Sequence, residues 1–376
     1  MGAIILIDIL TGMEFDIFVP SFPELQSHFS LTPFWVEALL SVNFAGYCLS
    51  LFFVGALADH YGRKPIILLG LGIFILGSIV CLWAPFYGVM LSGRFLQGAG
   101  IAAPSILSFL IIADAYPLSK QQSLFAILNG LFNISAGAAP VLGSYITLYF
   151  HWQGNFTTLL LLGLLAFVMT LLFIPTHKPP EHKETLWLRG YMPPFQSKPL
   201  MLLIMHIVFS FVPYWVFVGM SPLLYMEDLG VSLAHFGYYQ GALALVFALG
   251  SLCFGLIVAR HDQKKMLTIS IQVYIIGLIS CALATFMDSS SPLFITLAFL
   301  PFIIAGIIPS VILQPLCLNF MPQAKGRVSA ILQGGRLIFS ALCLQLAGYL
   351  YRCSFQSIGI IIIIFILLTV MTLFFV

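Results

Sequence analysis

Gly55-Ala-Leu-Ala-Asp59-His-Tyr-Gly62-Arg63-Lys64-Pro65 is a short polar interruption between two apolar runs, 35–58 and 65–83. Each run is close to the ~20 residues a helix needs to cross a bilayer. Gly55 lets a neighbouring helix approach closely, Gly62 permits a tight turn, and Asp59 stands at a helix end where it can cap or pair. Arg63 and Lys64 add positive charge at the same end of both runs. The stretch reads as a loop joining two membrane-spanning helices.

Composition extends this reading to the whole chain. Charged residues make up 7% of 376 positions and apolar residues 61%, too few ionisable groups to build a water-facing surface. Phe is abundant, at 35 residues, and Gly and Pro are scattered inside apolar runs, which neighbouring helices make tolerable. Runs such as 66–83 and 358–376 are long and continuous, unlike the short alternating segments of a barrel. Breaks between runs predict an all-α membrane protein of twelve helices near 2–22, 35–58, 65–83, 86–113, 123–149, 156–174, 200–224, 236–258, 266–286, 292–319, 328–350 and 356–375. The N-terminus lacks a basic region and a small-residue cleavage site, so the first run is expected to stay as a span.

Loop charge sets the orientation. Arg63, Lys64, Lys120, Lys178, Lys183, Arg189, Lys198, Arg260, Lys264, Lys265, Lys325 and Arg327 fall on one side, and only Arg352 on the other. The basic side is cytoplasmic by the positive-inside rule, which places both termini there. Residues 175–199, rich in Pro and mixed charge, read as a cytoplasmic linker between six-helix halves at 1–174 and 200–376. Gly55 and Lys64 recur as Gly255 and Lys264, an offset of 200 that two parallel halves predict, although Asp59 meets Ala259.

Several function classes are disfavoured. A net charge of +2 with dispersed basic residues indicates no nucleic-acid partner. Seven cysteines without a CxxC pair read as small buried hydrophobes, and His177 and His182 lack a metal-ligand context. There is no GxSxG, HExxH or P-loop motif, so neither an enzyme nor an ATP-driven pump is expected, and no metal or cofactor.

Ionisable residues inside spans are the candidates for chemistry. Arg94, in Arg94-Phe-Leu-Gln97-Gly98-Ala-Gly100, costs roughly 2.5–3.5 kcal/mol at that depth unless it meets a cavity or a carboxylate. A salt bridge that only fixes packing is the alternative. Asp8, Glu14 and Asp16 share the first span, with Asp8 and Asp16 about 80° apart on the wheel and Glu14 on another side unless the helix departs from regularity. If the first span ends near Phe22 and the fourth begins near Phe86, Asp16 and Arg94 lie at matching depths of about 9 and 12 Å, so they are expected to be close. Arg336 in Gln333-Gly334-Gly335-Arg336 needs a cavity or a partner too. His206 reads equally as a titrating group or a packing residue.

The 55–65 loop resembles the signature loop of the major facilitator superfamily, and the stretch from Arg94 resembles that superfamily's fourth-span element. Ser135-Ala-Gly137-Ala-Ala-Pro140-Val-Leu-Gly143-Ser144 is similar to its antiporter element, with Ala139 and Ser144 replacing two glycines; close helix packing accounts for the same residues. Asp16-Ile-Phe-Val-Pro20-Ser-Phe-Pro23, Asp114-Ala-Tyr116-Pro117, Phe236-Gly237-Tyr238-Tyr239 and Ala324-Lys-Gly326-Arg-Val-Ser329-Ala330 resemble the bicyclomycin and chloramphenicol resistance branch of the drug:proton antiporters. Ala56 and Gln153 depart from that branch, whose usual arm before the first span is missing.

The resemblance implies a monomeric inner-membrane transporter that exchanges protons for small amphipathic or drug-like compounds by alternating access. Asp16, Arg94, Glu14 and Asp8 would couple protons and substrate, while Gln97, Tyr214, Gln314 and Arg336 would line a substrate cavity formed by the first, fourth, seventh and tenth spans. Gly55, Asp59, Gly62, Arg63 and Lys64 would form a conformational switch, with the helix kink at Gly137, Pro140 and Gly143. A nutrient symporter and a nontransporting membrane sensor are the competing expectations.

Overall fold

The computed structural model describes residues 1–115, 118–175, 192–257, 262–321 and 325–375. Most of the 175–199 linker, Arg260, Ala324 and the Tyr116-Pro117 pair of the branch motif lie outside them. The described chain is helical: α1 (Gly2–Glu14), α2 (Phe22–Phe29), α3 (Pro33–Tyr61), α4 (Arg63–Leu82), α5 (Tyr87–Ala115), α6 (Leu118–Phe173), α7 (Met192–Gln196), α8 (Lys198–Pro222), α9 (Leu233–Ile257), α10 (Gln263–Phe286), α11 (Pro292–Asn319), α12 (Lys325–Leu350) and α13 (Phe355–Phe375). Among the described residues, ten helices are long and apolar enough to cross a membrane.

One expected boundary differs. The first span does not continue as one α-helix to residue 22: α1 stops at Glu14, and a 3-10 turn follows at Val19–Ser21. Pro20, which cannot donate a backbone hydrogen bond, lies in that turn. The fifth and sixth runs, numbered together as α6, are two helices that meet at a kink at His151, where φ is 57°.

The outer faces show the solvent. Leu164, Val168 and Leu172 of α6, and Ile360, Ile364 and Met371 of α13, are exposed at helical spacing. Conversely, Glu14, Arg94, Gln97, Asn43 and His206 are fully buried. An apolar exterior around polar interior groups is what a lipid solvent selects.

The chain divides into two compact units, Met1–Leu31 with Ala38–Leu186, and Thr32–Glu37 with Trp187–Val376. In the first, α1 packs on α5 and α6, while α4 packs on α5 and α6. In the second, α8 packs on α11 and α12, while α10 packs on α11 and α13. The same packing scheme occurs twice, as an internal repeat requires.

Residues 55–65 form the last turns of α3, the single non-helical residue Gly62 and the start of α4. Gly62 takes φ 90°, a left-handed conformation that a residue with Cβ adopts only under strain, and its N–H donates to Ala58 O at 2.9 Å. Lys64 Nζ donates to Leu171 O near the end of α6, at 2.9 Å. The Asp59 side chain and the surroundings of Gly55 lie outside what is described.

Candidate functional site

Four helices of the first unit converge on Arg94. α5 presents it, α1 ends beside it at Glu14, and α3 and α4 supply neutral hydrogen-bond partners. Arg94 Nη1 donates to Glu14 Oε1 at 3.1 Å and to Gln97 Oε1 at 2.6 Å, and Nε donates to Leu39 O at 3.3 Å. Asn43 Nδ2 donates to Glu14 Oε1 at 2.7 Å and to Arg94 O at 3.1 Å. Gln97 Nε2 donates to Ser78 Oγ at 2.8 Å, and Ser78 returns its hydrogen to Phe74 O at 2.9 Å. The guanidinium carbon lies 4.0 Å from the centre of the Phe18 ring.

Glycine makes this convergence possible. A Cβ on Gly98 of α5 would strike the Asn43 backbone, and one on Gly46 of α3 would strike Phe95 O. The two helices therefore approach at backbone distance, which brings Asn43 within reach of both Arg94 and Glu14. Gly143 of α6 plays the same part toward the end of α1, where a Cβ would run into Ile17 O.

Both members of the Arg94–Glu14 pair have no exposed surface. That pairing corrects the sequence-based expectation, which matched Arg94 with Asp16. Depth was argued along a continuous helix, but α1 ends at Glu14, so the wheel does not extrapolate to residue 16. Asp16 lies in the irregular segment beyond, 4% exposed, and its Oδ1 has no hydrogen-bond partner among the described residues. Asp8 is two turns earlier, on the side of α1 that carries Gly12, whose added Cβ would lie 2.7 Å from Phe132 O of α6. The three carboxyls thus occupy different surroundings, and Glu14 alone among them holds the cation.

Gln97, expected on the substrate path, is fully buried, with its amide engaged at both ends, by Arg94 and by Ser78. In the second unit, Arg336 lies with its guanidinium carbon 3.8 Å from the centre of the Phe211 ring of α8 and donates from Nη1 to Gln333 Oε1 at 3.2 Å. Tyr214 is three residues further along α8, ring to ring with Trp215, and Gln314 is half-buried on α11. His206 Nδ1 is 3.2 Å from both Thr369 O and Thr372 Oγ1, a packing arrangement between α8 and α13. Among the described residues, no three His, Cys, Asp or Glu side chains gather where they could hold a metal ion.

Asn43 and Ser78 escaped the sequence reading. The signal for Asn43 was present, since it is the single Asn in the 35–58 run, but one neutral polar residue in a span has no specific meaning until its neighbours are known.

The chain is 27% identical over 345 residues to the bicyclomycin resistance protein homolog of Haemophilus influenzae, covering 90% of this chain and 85% of that one. It is 28% identical over 232 residues to the multidrug resistance protein MdtL of Klebsiella pneumoniae, covering 61% and 58%. Among solved structures, a bacterial homolog of the human lysosomal transporter Spinster, inward-facing and occupied, superposes with a TM-score of 0.77 at 17% identity, covering 99% and 95%. A D-xylose-proton symporter superposes with a TM-score of 0.75 at 14% identity, covering 98% and 95%. The model of the Major Facilitator Superfamily matches residues 4–342, and the chain belongs to that superfamily.

Proposed function

We propose that the chain is a multi-pass inner-membrane antiporter that expels small amphipathic or drug-like compounds in exchange for protons. The observation that carries this reading is the gathering of ionisable groups at the end of α1: Glu14 Oε1 is tied to a fully buried Arg94, and Asp16 follows outside that ion pair, with Glu14 Oε2, Arg94 Nη2 and Asp16 Oδ1 each lacking a hydrogen-bond partner among the described residues. A fixed cation and a second carboxyl outside its ion pair, at a helix break, are suited to loading and releasing a proton as water access changes. The relatives' names, bicyclomycin resistance and multidrug resistance, support the substrate class.

Twelve spans are proposed, with both termini cytoplasmic and the halves at 1–174 and 200–376. The ten long apolar helices become eleven when Gly130–Phe173 is divided at His151, and α1 with the turn to Ser21 supplies the twelfth. Tyr214, Gln314 and Arg336 are assigned to substrate contact and Gln97 to positioning Arg94. The unit acts as a monomer.

Cells expressing the protein are expected to accumulate less of at least one compound in a panel of amphipathic cations, neutral antibiotics and dyes, and an uncoupler is expected to restore accumulation. If no compound behaves this way although the protein is inserted, efflux driven by the proton gradient is wrong.

The 55–65 loop is assigned to the equilibrium between inward-open and outward-open states. Asp59→Asn, or Arg63→Gln, is expected to cut turnover at least about tenfold, equivalent to 1.4 kcal/mol in the balance of states, with substrate affinity changed far less. Direct binding measured alongside transport checks this. Normal transport by both inserted variants would reduce the loop to a topology signal.

A further inference from the structure

Just past its first turn, α3 carries a second fully buried carboxyl that the Arg94 cluster does not use. Glu37 has no exposed surface, and neither Oε1 nor Oε2 has a hydrogen-bond partner among the described residues. It belongs, with Thr32–Glu37, to the second compact unit.

Two glycines form its seat. A Cβ on Gly219 of α8 would collide with Glu37 Oε2 and with Leu344 of α12. One on Gly348, the next turn of α12, would lie 2.8 Å from Phe34 Cα and 3.0 Å from Pro33 O. The turn therefore rests directly on α8 and α12, with the carboxyl held between them.

No described charged group of these helices bonds to Glu37. On α8, His206 is held by Thr369 and Thr372 and Lys198 stands at the start of the helix. On α12, Arg336 lies over Phe211 about two turns from Leu344, and Lys325 opens the helix. Beyond α8, Asp228 accepts from Tyr351 Oη.

An ionised carboxylate with neither water nor a partner is costly, whereas the neutral acid fits an apolar seat. Water reaches the group only when the turn lifts, and there the ionised form is hydrated. Proton binding and seating are then linked, each favouring the other. We propose that Glu37 is a proton-binding site whose protonation seats the first turn of α3 on α8 and α12 and whose proton loss releases it.

The proposal rests on the proton-coupled reading for its place in a transport cycle, but its test reads the turn itself, so either can fail alone. Hydrogen–deuterium exchange of the peptide spanning 31–40 is measured on purified full-length protein from mildly acidic to mildly alkaline conditions and corrected for the intrinsic rate. In wild type, exchange is expected to rise with pH by up to about tenfold per unit, the limit for loss of one proton. Glu37→Gln is expected to stay protected at every pH. If Glu37→Gln fails to fold, Gly348→Ala serves instead: it keeps the carboxyl but lifts the turn, and exchange should be fast throughout. A pH-independent wild type, an unchanged slope in Glu37→Gln, or wild-type protection in Gly348→Ala would each overturn the proposal.

Discussion

Arg94→Met is expected to lower the stability of the purified protein by about 3–5 kcal/mol, the scale for breaking a buried pair and leaving its partner uncompensated. The guanidinium meets Glu14, Gln97, Leu39 O and the Phe18 ring, so its removal orphans a carboxylate and a carbonyl in an interior without exposed surface. Hydrogen bonds between membrane helices couple by only about 0.6 kcal/mol on average, so the magnitude separates a charge pair from ordinary polar packing. Adding Glu14→Gln should recover most of the loss, because a neutral amide needs no counter-charge and still takes the Asn43 donor. Unfolding in mixed micelles of the two single variants and the double variant completes the cycle. A single-variant loss below about 1 kcal/mol would mean that the pair contributes no more than a surface ion pair.

The helical fold was legible because lipid imposes a simple rule: backbone groups must be satisfied within the segment, so apolar length announces helices. Gly62 was legible too, since a polar turn of that length between two spans needs a left-handed residue, and it has one. The end of α1 was not. Nothing in Phe15-Asp16-Ile17-Phe18 marks where helical hydrogen bonding stops, and Pro20 sets that limit only through the turn it occupies. The partner of Arg94 was lost with it, because pairing depends on which carboxyl the last helical residue carries. Glu37 was missed for a different reason. A carboxyl near the start of a span reads as interfacial by position alone, and the two glycines that enclose it, Gly219 and Gly348, are remote in sequence from it and from each other.

These assignments make Asp16 and Glu14 separable by experiment. Asp16→Asn replaces a carboxyl whose Oδ1 bonds to nothing described, and it leaves intact both the contact of Ile17 O with Gly143 and the Arg94–Glu14 pair. Stability should therefore change by less than about 1 kcal/mol, as for a substitution that removes no buried partner. Proton exchange, by contrast, should vanish: substrate added to weakly buffered detergent solution is expected to acidify it with wild type and not with Asp16→Asn, and efflux driven by the proton gradient should fail in cells. Glu14→Gln behaves the other way if its role is to hold Arg94, losing stability first and coupling only with it. Asp8→Asn, on the side of α1 toward α6, should keep proton release. Measuring substrate-induced acidification and thermal unfolding on the same preparations distinguishes these outcomes. A stable Asp16→Asn protein that still releases protons on binding substrate would transfer the coupling role to another carboxyl, and an unstable one that recovers release in a stabilising lipid would show that Asp16 only supports the end of α1.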